Sequence, residues 1–447
     1  MKLTPENGYY KRILKIASPA IAGLSVQVIV SLVDAAMVGR VENPEYALAA
    51  MGLGFLATWA IVSFFSSLAT GTQVLVSHRF GKKAYDECGF VLSNSIFIGF
   101  FIGLLTAFAG AYFAYDIANF FAKDLIVGNL AGEYFQYRIL GIPFFLITVS
   151  YRGYFFGIGN TKVFMFSGIL VNVLNIFFNY VLIYGGFGIE PMGVAGAGLG
   201  STLATILDAV FYFSVSLHPS FKKTYRLYKR FRVDLGILKS IYKISLPVAF
   251  QSVFILLGFL SFVAVSGLIG ITEQAATQAI ISILFMSFLP CYGFGIAAQT
   301  LVGNSMGQGK ILLARIYGYE TAKIATYYTL FLALIFLSVP QYLLLIITTD
   351  QKIISAATYA MRVAGFAQIF YAMGIVLANA LQACGKTTYV MLAEVIANLL
   401  IFVPVSYFFG IYLELGIVGA WLGLPVYVLI YSASIFLKFK YGKLSLV

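Results

Sequence analysis

The chain has 447 residues, 61% of them hydrophobic and only 10% charged, with a formal net charge of +12. Soluble domains carry about 25% charged residues, so this composition excludes a soluble fold and implies a polytopic membrane protein. Cys88, Cys291 and Cys384 are far apart, and His78 and His218 are the only histidines; this excludes disulfide, zinc and haem readings. The fold class expected is all-α, with helices long enough to span a bilayer.

Apolar runs of the ~20 residues that a span requires number twelve. The first six are expected at about 13–37, 47–76, 89–115, 132–157, 161–185 and 193–217, and the second six at about 241–270, 275–304, 315–339, 354–383, 387–411 and 416–438. Met1 to Arg12 is polar and basic and leads into a full-length span, so no cleaved signal is expected. Residues 1–217 are read as an N-lobe, 218–240 as a basic cytoplasmic linker and 241–447 as a C-lobe.

Span one carries an acid, Asp34, within an apolar run. A charge at the centre of a span costs roughly 2.5–3.5 kcal/mol on insertion scales, and such residues are functional by default. Gln27 and Ser31 precede it by seven and three residues, which places all three on one helical face. Ion site, proton site and substrate contact all fit this stripe; so does an acid satisfied by a neighbouring helix.

Span five adds Asn172, Asn175 and Asn179, spaced to share a face. Amide oxygens suit hard cations and also accept from a protonated acid; the alternative is interhelical glue at about 0.6 kcal/mol per contact. In span six, Ser201 and Thr202 offer hydroxyls. Asp208, the second acid in this half, fits either a relay with Asp34 or local pairing. Glu394 lies about two turns into span eleven, where snorkelling or pairing is the expectation. Glu133 and Glu320 fall near span ends and read as structural.

The charges sort by side. Lys11, Arg12, Arg79, Lys82, Lys83, Lys162, the connector bases from Lys222 to Lys239, Lys310, Arg315, Lys386 and the C-terminal lysines fall on the side of the termini. Glu42, Glu45, Asp116, Asp124, Glu190, Glu273, Asp350 and Glu414 fall on the other, with only Arg40, Lys123 and Lys352 as bases there. The positive-inside rule makes the termini cytoplasmic. The connector then reads as a solvated linker with some attraction to anionic lipid, and nucleic acid is not an expected partner.

The halves repeat. Ile13–Pro19 matches Ile241–Pro247, Gln73–Gly81 matches Gln299–Gly307, and Arg138-Ile-Leu-Gly141 matches Arg362-Val-Ala-Gly365. Gly159-Asn-Thr matches Gly385-Lys-Thr, and the glycine run from Gly193 matches that from Gly416. With six spans each, the halves form a parallel repeat, an arrangement that encloses a cavity able to open to alternate sides. Arg138 and Arg362 recur and so read as structural, and the glycine runs as packing. Pro19 and Pro247 can bend or start their helices. Asp34 has no counterpart: the matching stretch from Leu257 holds no acid.

Ala380–Thr387 ends like a phosphate loop but lacks its first glycine and follows a span rather than a strand, so it fails that motif's context. No segment can house an ATPase domain, and no catalytic set argues for an enzyme. Any transport must then draw on an ion gradient.

These features resemble the multidrug and toxic compound extrusion (MATE) family. The resemblance rests on Ser18-Pro-Ala-Ile-Ala-Gly, on Val33-Asp-Ala-Ala-Met-Val-Gly-Arg40, and on the paired Gln-x-Leu-Val motifs. It rests also on Phe155-Phe-Gly-Ile-Gly-Asn-Thr-Lys162, on Asn175-Ile-Phe-Phe-Asn179 and on the run from Gly193. It implies two six-helix lobes, in a multi-pass protein of the bacterial inner membrane, exporting organic and often cationic compounds by alternating access, in exchange for sodium or protons and without a further cofactor. An N-lobe ion site is implied at Asp34, Asn175, Asn179, Ala197 and Ser201, with sodium at the first three and Gln27 as a cavity glutamine. The C-lobe acids of some members have no match, since Ile255 and Tyr371 are neutral. A monomer is expected. The alternative is a lipid-linked precursor flippase of the same superfamily, but that calls for a basic cavity, and mid-span bases here are few. Hydrocarbon burial favours a protonated acid, while an oxygen cage suits a monovalent cation. One site shared by the two ions is the expectation, with sodium slightly favoured.

Overall fold

The computed structural model describes residues 7–41, 43–229 and 232–444, and within them not the side chains of residues 7, 27–32, 35 and 44. The Gln27 and Ser31 side chains therefore lie outside the described residues. Helices account for nearly all of the rest, and among the described residues the only β-pairing is an isolated bridge between Gly186 and Ile189.

The first half comprises α1 (Asn7–Val38), α2 (Pro44–Gly81), α3 (Tyr85–Tyr112), α4 (Ala114–Phe121), α5 (Leu125–Ile139), α6 (Ile142–Gly157), α7 (Lys162–Tyr184) and α8 (Gly193–Leu217). A short helix, α9 (Pro219–Lys222), follows. The second half comprises α10 (Leu235–Ile269), α11 (Ile271–Gly307), α12 (Ile311–Ser338), α13 (Pro340–Leu344) and α14 (Gln351–Ala383). It ends with α15 (Thr387–Val395), a π-helical stretch Ile396–Phe402, α16 (Val403–Tyr407), a second π-helical stretch Phe408–Tyr412, and α17 (Gly416–Tyr441). Ten of the described helices are long and apolar enough to cross a membrane, eleven if the bent pair α5–α6 is one span. The 32-residue α1, part of whose side chains are not described, is outside that count.

The repeat recurs in the backbone. Asp124 caps α5 by accepting from the Ile126 and Val127 amides at 2.8 and 3.1 Å, and Asp350 caps α14 by accepting from the Lys352 amide at 2.8 Å. Left-handed residues also recur, Gly159 with Gly385 and Gly193 with Gly416. One difference stands out. Span four, expected as one helix, breaks between α5 and α6 with a 49° bend, while its counterpart α14 is unbroken. Pro143 sits in the first turn of α6, where its missing N–H and fixed φ favour a helix start; the corresponding position in α14 is Ala367. The Thr202 hydroxyl satisfies the carbonyls left at the end of α5, donating to Tyr137 O at 2.8 Å and Arg138 O at 3.3 Å.

By contact the chain divides into Ala22–Ser245 and into Met1–Ile21 with Leu246–Val447. These limits fall inside α1 and α10, just after Pro19 and just before Pro247, both interior to their helices. The expected limits of 1–217 and 241–447 follow the sequence repeat, whereas the packing exchanges the first segments of the two helices. In the Ala22–Ser245 unit, Ile237, Ile241 and Ile244 from the start of α10 join a core with Leu92, Phe135 and Tyr154. In the other unit, Ile13, Ile16 and Ala17 from α1 join a core with Phe262, Phe402 and Trp421.

The connector, expected as a solvated linker, keeps its bases in solvent but is also docked. Residues from Leu235 already belong to α10. Tyr225 and Leu227 are buried while Lys222, Lys223, Arg226 and Lys229 stay exposed. Tyr228 shares hydroxyl hydrogen bonds with Tyr151 at 2.5 Å and Ser216 at 2.6 Å, and the Asp234 amide donates to Asn94 Oδ1 at 2.8 Å. Aromatics dock the segment; the bases remain solvated. Burial pushes the Tyr225 phenol up to about 12.

Candidate functional site

Asp34 lies one turn before the end of α1, and the end of that helix is latched to α7 by the Tyr184 hydroxyl, which donates to Met37 O at 2.6 Å. The same crossing brings Asp34 to the asparagine face of α7. Asn179 Nδ2 donates to Asp34 Oδ1 at 2.8 Å and also approaches Asn175 Oδ1 at 3.3 Å. Asn175 Nδ2 donates to Ser201 Oγ of α8 at 3.0 Å. A polar chain thus runs Asp34–Asn179–Asn175–Ser201 across three helices. Asn179 Oδ1 is buried without a donor, as is Asn172 Nδ2 without an acceptor. A buried amide oxygen left unpaired is costly, and it is the kind of hard oxygen that a monovalent cation or an acid proton satisfies.

Gly200 makes room for this amide: a Cβ there would lie 2.2 Å from Asn179 Oδ1. Ala197 is buried one turn earlier on α8, in a small core with Val38, Ala47 and Tyr134. Thr202, weighed beside Ser201, turns instead to the end of α5, as described above. Arg138 stands in the last turn of α5, and among the described residues it forms no ion pair with Asp34; its recurrence in the repeat marks it as structural.

Asp208 is 3% exposed and stands in a separate cluster. Ser167 Oγ donates to its Oδ1 at 2.5 Å, and Arg152 Nη2 lies 3.5 Å from its Oδ2. Arg152 also stacks over Phe164, 5.2 Å from the ring centre. This is the local pairing; no hydrogen bond joins Asp208 to the Asp34 chain among the described residues. Glu320 is likewise paired, with Lys323 Nζ at 2.5 Å. Of the two expectations for Glu394, snorkelling fails: it is buried at 2% exposure in the second half, with the Tyr427 hydroxyl as a hydrogen-bond partner.

The MatE family model matches the chain twice, at residues 19–181 and 247–408, once in each half. A probable multidrug resistance protein NorM of Thermotoga maritima is 26% identical over 446 residues, covering 97% of this chain and 92% of that one. A probable multidrug resistance protein YoeA of Bacillus subtilis is 23% identical, covering 95% and 91%. Among solved structures, a MOP superfamily transporter from Pyrococcus furiosus superposes with a TM-score of 0.87 at 20% identity, covering 97% of this chain and 94% of that one. An outward-facing multidrug resistance MATE family transporter superposes equally well, with a TM-score of 0.87 at 20% identity and 98% coverage of both chains; at such identity the likeness speaks for the fold. With both halves matched by the family model and the length of the chain covered, the protein belongs to the MatE family of multi-pass membrane transporters.

Proposed function

We propose that the protein is a secondary antiporter of the bacterial inner membrane, with both termini cytoplasmic, that exports organic and often cationic compounds in exchange for sodium or protons. Asp34, Asn175, Asn179 and Ser201 form the exchange site in this reading. The observation that carries it is the hydrogen-bond chain from Asp34 to Ser201, ending on an unpaired buried Asn179 oxygen. The Asn179 amide presents its N–H to the carboxylate. Rotation of the amide would present the oxygen instead and complete a cage with one carboxylate, suited to a monovalent cation. Protonation of Asp34 competes for the same oxygen, so sodium and proton exclude each other, with sodium slightly favoured. Either ion neutralises Asp34, and the relatives' multidrug resistance names support organic compounds as cargo.

The test is cationic-dye efflux and sodium binding in proteoliposomes, measured against pH. Asp34→Asn keeps the shape but cannot exchange charge, and is expected to abolish coupled efflux while leaving insertion intact. Asn179→Ala is expected to weaken sodium dependence. Efflux that follows an imposed proton gradient, ignores sodium and is untouched by Asn179→Ala would reduce Asp34 to a lone proton carrier. Full efflux in Asp34→Asn would remove the site altogether.

A further inference from the structure

Glu394 lies in the last turn of α15, two residues before the π-helical stretch Ile396–Phe402. Among the described residues no lysine or arginine forms an ion pair with it. Its partners are neutral and come from several helices. The Tyr427 hydroxyl of α17 donates to Oε1 at 2.6 Å. Gln251 Nε2 of α10 approaches Oε2 at 3.5 Å, and Gln251 Oε1 in turn accepts from Gln382 Nε2 of α14 at 3.1 Å. Tyr431 of α17 and Tyr292 of α11 are the other titratable groups facing it among the described residues. Asn398, one turn on, lies within reach, yet both polar atoms of its buried amide lack a well-formed hydrogen bond. π-Helical turns are concentrated at functional sites.

The repeat shows what this crossing looks like without chemistry. Gln251 corresponds to Gly23 by the register that relates Pro247 to Pro19, and Glu394 corresponds to Gly168 by the register that relates Gly385 to Gly159. Gly23 and Gly168 meet backbone to backbone: a Cβ on Gly168 would lie 3.4 Å from Gly23 O. Two glycines suffice to pack the crossing in the first half. The second half fills the equivalent position with a buried acid and an amide, at the cost that ionisable groups carry in a membrane interior.

We propose that Glu394 is a proton-exchanging carboxyl in the second half, distinct from Asp34, with Gln251 and Gln382 as its positioning residues. Ionised, Glu394 is held by donors at both oxygens, Tyr427 O–H and Gln251 N–H. A proton arriving from water forms an O–H bond at Oε2, the weakly held oxygen, and that O–H donates to Gln251 Oε1 once the amide turns over. Gln382 then loses its acceptor and must turn as well, since an amide exchanges donor for acceptor on rotation. Release of the proton to water reverses both turns. Occupancy at α15 is thereby read out on α10 and α14. This role rests on the reading of the chain as an ion-coupled transporter.

Infrared difference spectroscopy of the full chain in proteoliposomes, stepped from about pH 5 to about pH 9, reads carboxyl protonation directly. A pH-dependent protonated-carboxyl band is expected that survives Asp34→Asn, vanishes in Glu394→Gln, moves but persists in Glu394→Asp, and shifts its midpoint in Gln251→Leu. Efflux driven by an imposed proton gradient is expected to fall about tenfold in Glu394→Gln, a usual size for coupling between sites. A spectrum unchanged by Glu394→Gln, or a Glu394 band that does not move with pH, overturns the proposal. Intact efflux in Asp34→Asn overturns the exchange-site reading instead and leaves the Glu394 band standing. If Glu394→Gln does not fold, Glu394→Asp decides: loss of the pH-dependent band refutes, a displaced band supports.

Discussion

Gly200→Ala would test the Asn179 pocket by steric means, leaving every polar residue of the site in place. The added Cβ would fall 2.2 Å from Asn179 Oδ1, 3.2 Å from its Cγ and 3.0 Å from its backbone N. The side chain alone cannot relieve this, because the backbone contact obliges α7 to move as well. Overpacking of this kind costs about 1–3 kcal/mol. The displaced amide also gives up its 2.8 Å contact with Asp34, and a hydrogen bond to a charged group contributes about 1.5–3 kcal/mol. If about 1.4–2.8 kcal/mol of this reaches ion binding, apparent affinity for the coupling ion falls about 10- to 100-fold. The assay is dye efflux in proteoliposomes against sodium concentration at fixed pH, repeated against pH at fixed sodium. Gly52→Ala is the control: nothing lies within 4 Å of its Cβ position, and alanine there should favour the helix by about 0.5–1 kcal/mol. A Gly200→Ala protein with wild-type ion dependence would refute the assignment of Asn179 to the exchange site.

Three further outcomes are expected. Arg152→Met leaves Asp208 buried and uncompensated, which should cost about 3–5 kcal/mol as a lowered unfolding temperature in detergent, and Asp208→Asn in the same chain should recover part of it. A cysteine at Lys223 should resist a membrane-impermeant thiol reagent in intact cells while one at Glu190 reacts, against little background because Cys88, Cys291 and Cys384 are all buried; the reverse pattern would overturn the topology. Because Tyr225 holds its proton to about 12 in the docked connector and an exposed tyrosine releases it near 10, docking should be intact below about pH 10 and weaken as pH rises from there through about 12, seen as faster proteolysis of the connector at the higher pH.

Where the fold was legible, the reason is periodicity. The Asp34–Asn179 contact is legible only through the family resemblance, which pairs the span-one aspartate with two span-five positions four apart; the spacing of the asparagines by itself fits interhelical glue equally well. The repeat could be read because identical turns need identical residues, as at Gly159 and Gly385. The break in span four is not legible although Pro143 is visible, because a proline within an apolar run marks a bend or a helix start alike, and only the Thr202 hydroxyl on a distant helix shows which. The docking of the connector is hidden in the sequence because its bases dominate the composition, while the burial of Tyr225 and Leu227 depends on surfaces that no local pattern reveals. Arg152 could not be matched to Asp208 from sequence, since nothing in either span names the opposing helix. Glu394 was placed at the right depth along its helix, but depth along one helix does not fix burial; α10 and α17 cover it.

The two halves are built alike but place their polar crossings differently. Both use the first and fifth long helices of the repeat, α1 with α7 and α10 with α15, to bring an acid against an amide. The roles are exchanged between them. In the first half the acid stands on the first helix and the amides on the fifth; in the second half Gln251 stands on the first and Glu394 on the fifth. Nor do the pairs occupy equivalent positions, since the counterparts of Gln251 and Glu394 are the touching glycines Gly23 and Gly168. A duplicated fold that needed only packing would have kept glycines at both crossings. Each half instead acquired a polar crossing at a different level on the same two helices, so a charge change at either site acts on helices that occupy the same place in the repeat. Variants that alter Asp34 and Glu394 together should therefore depart from additivity in efflux if both sites bias one conformational equilibrium.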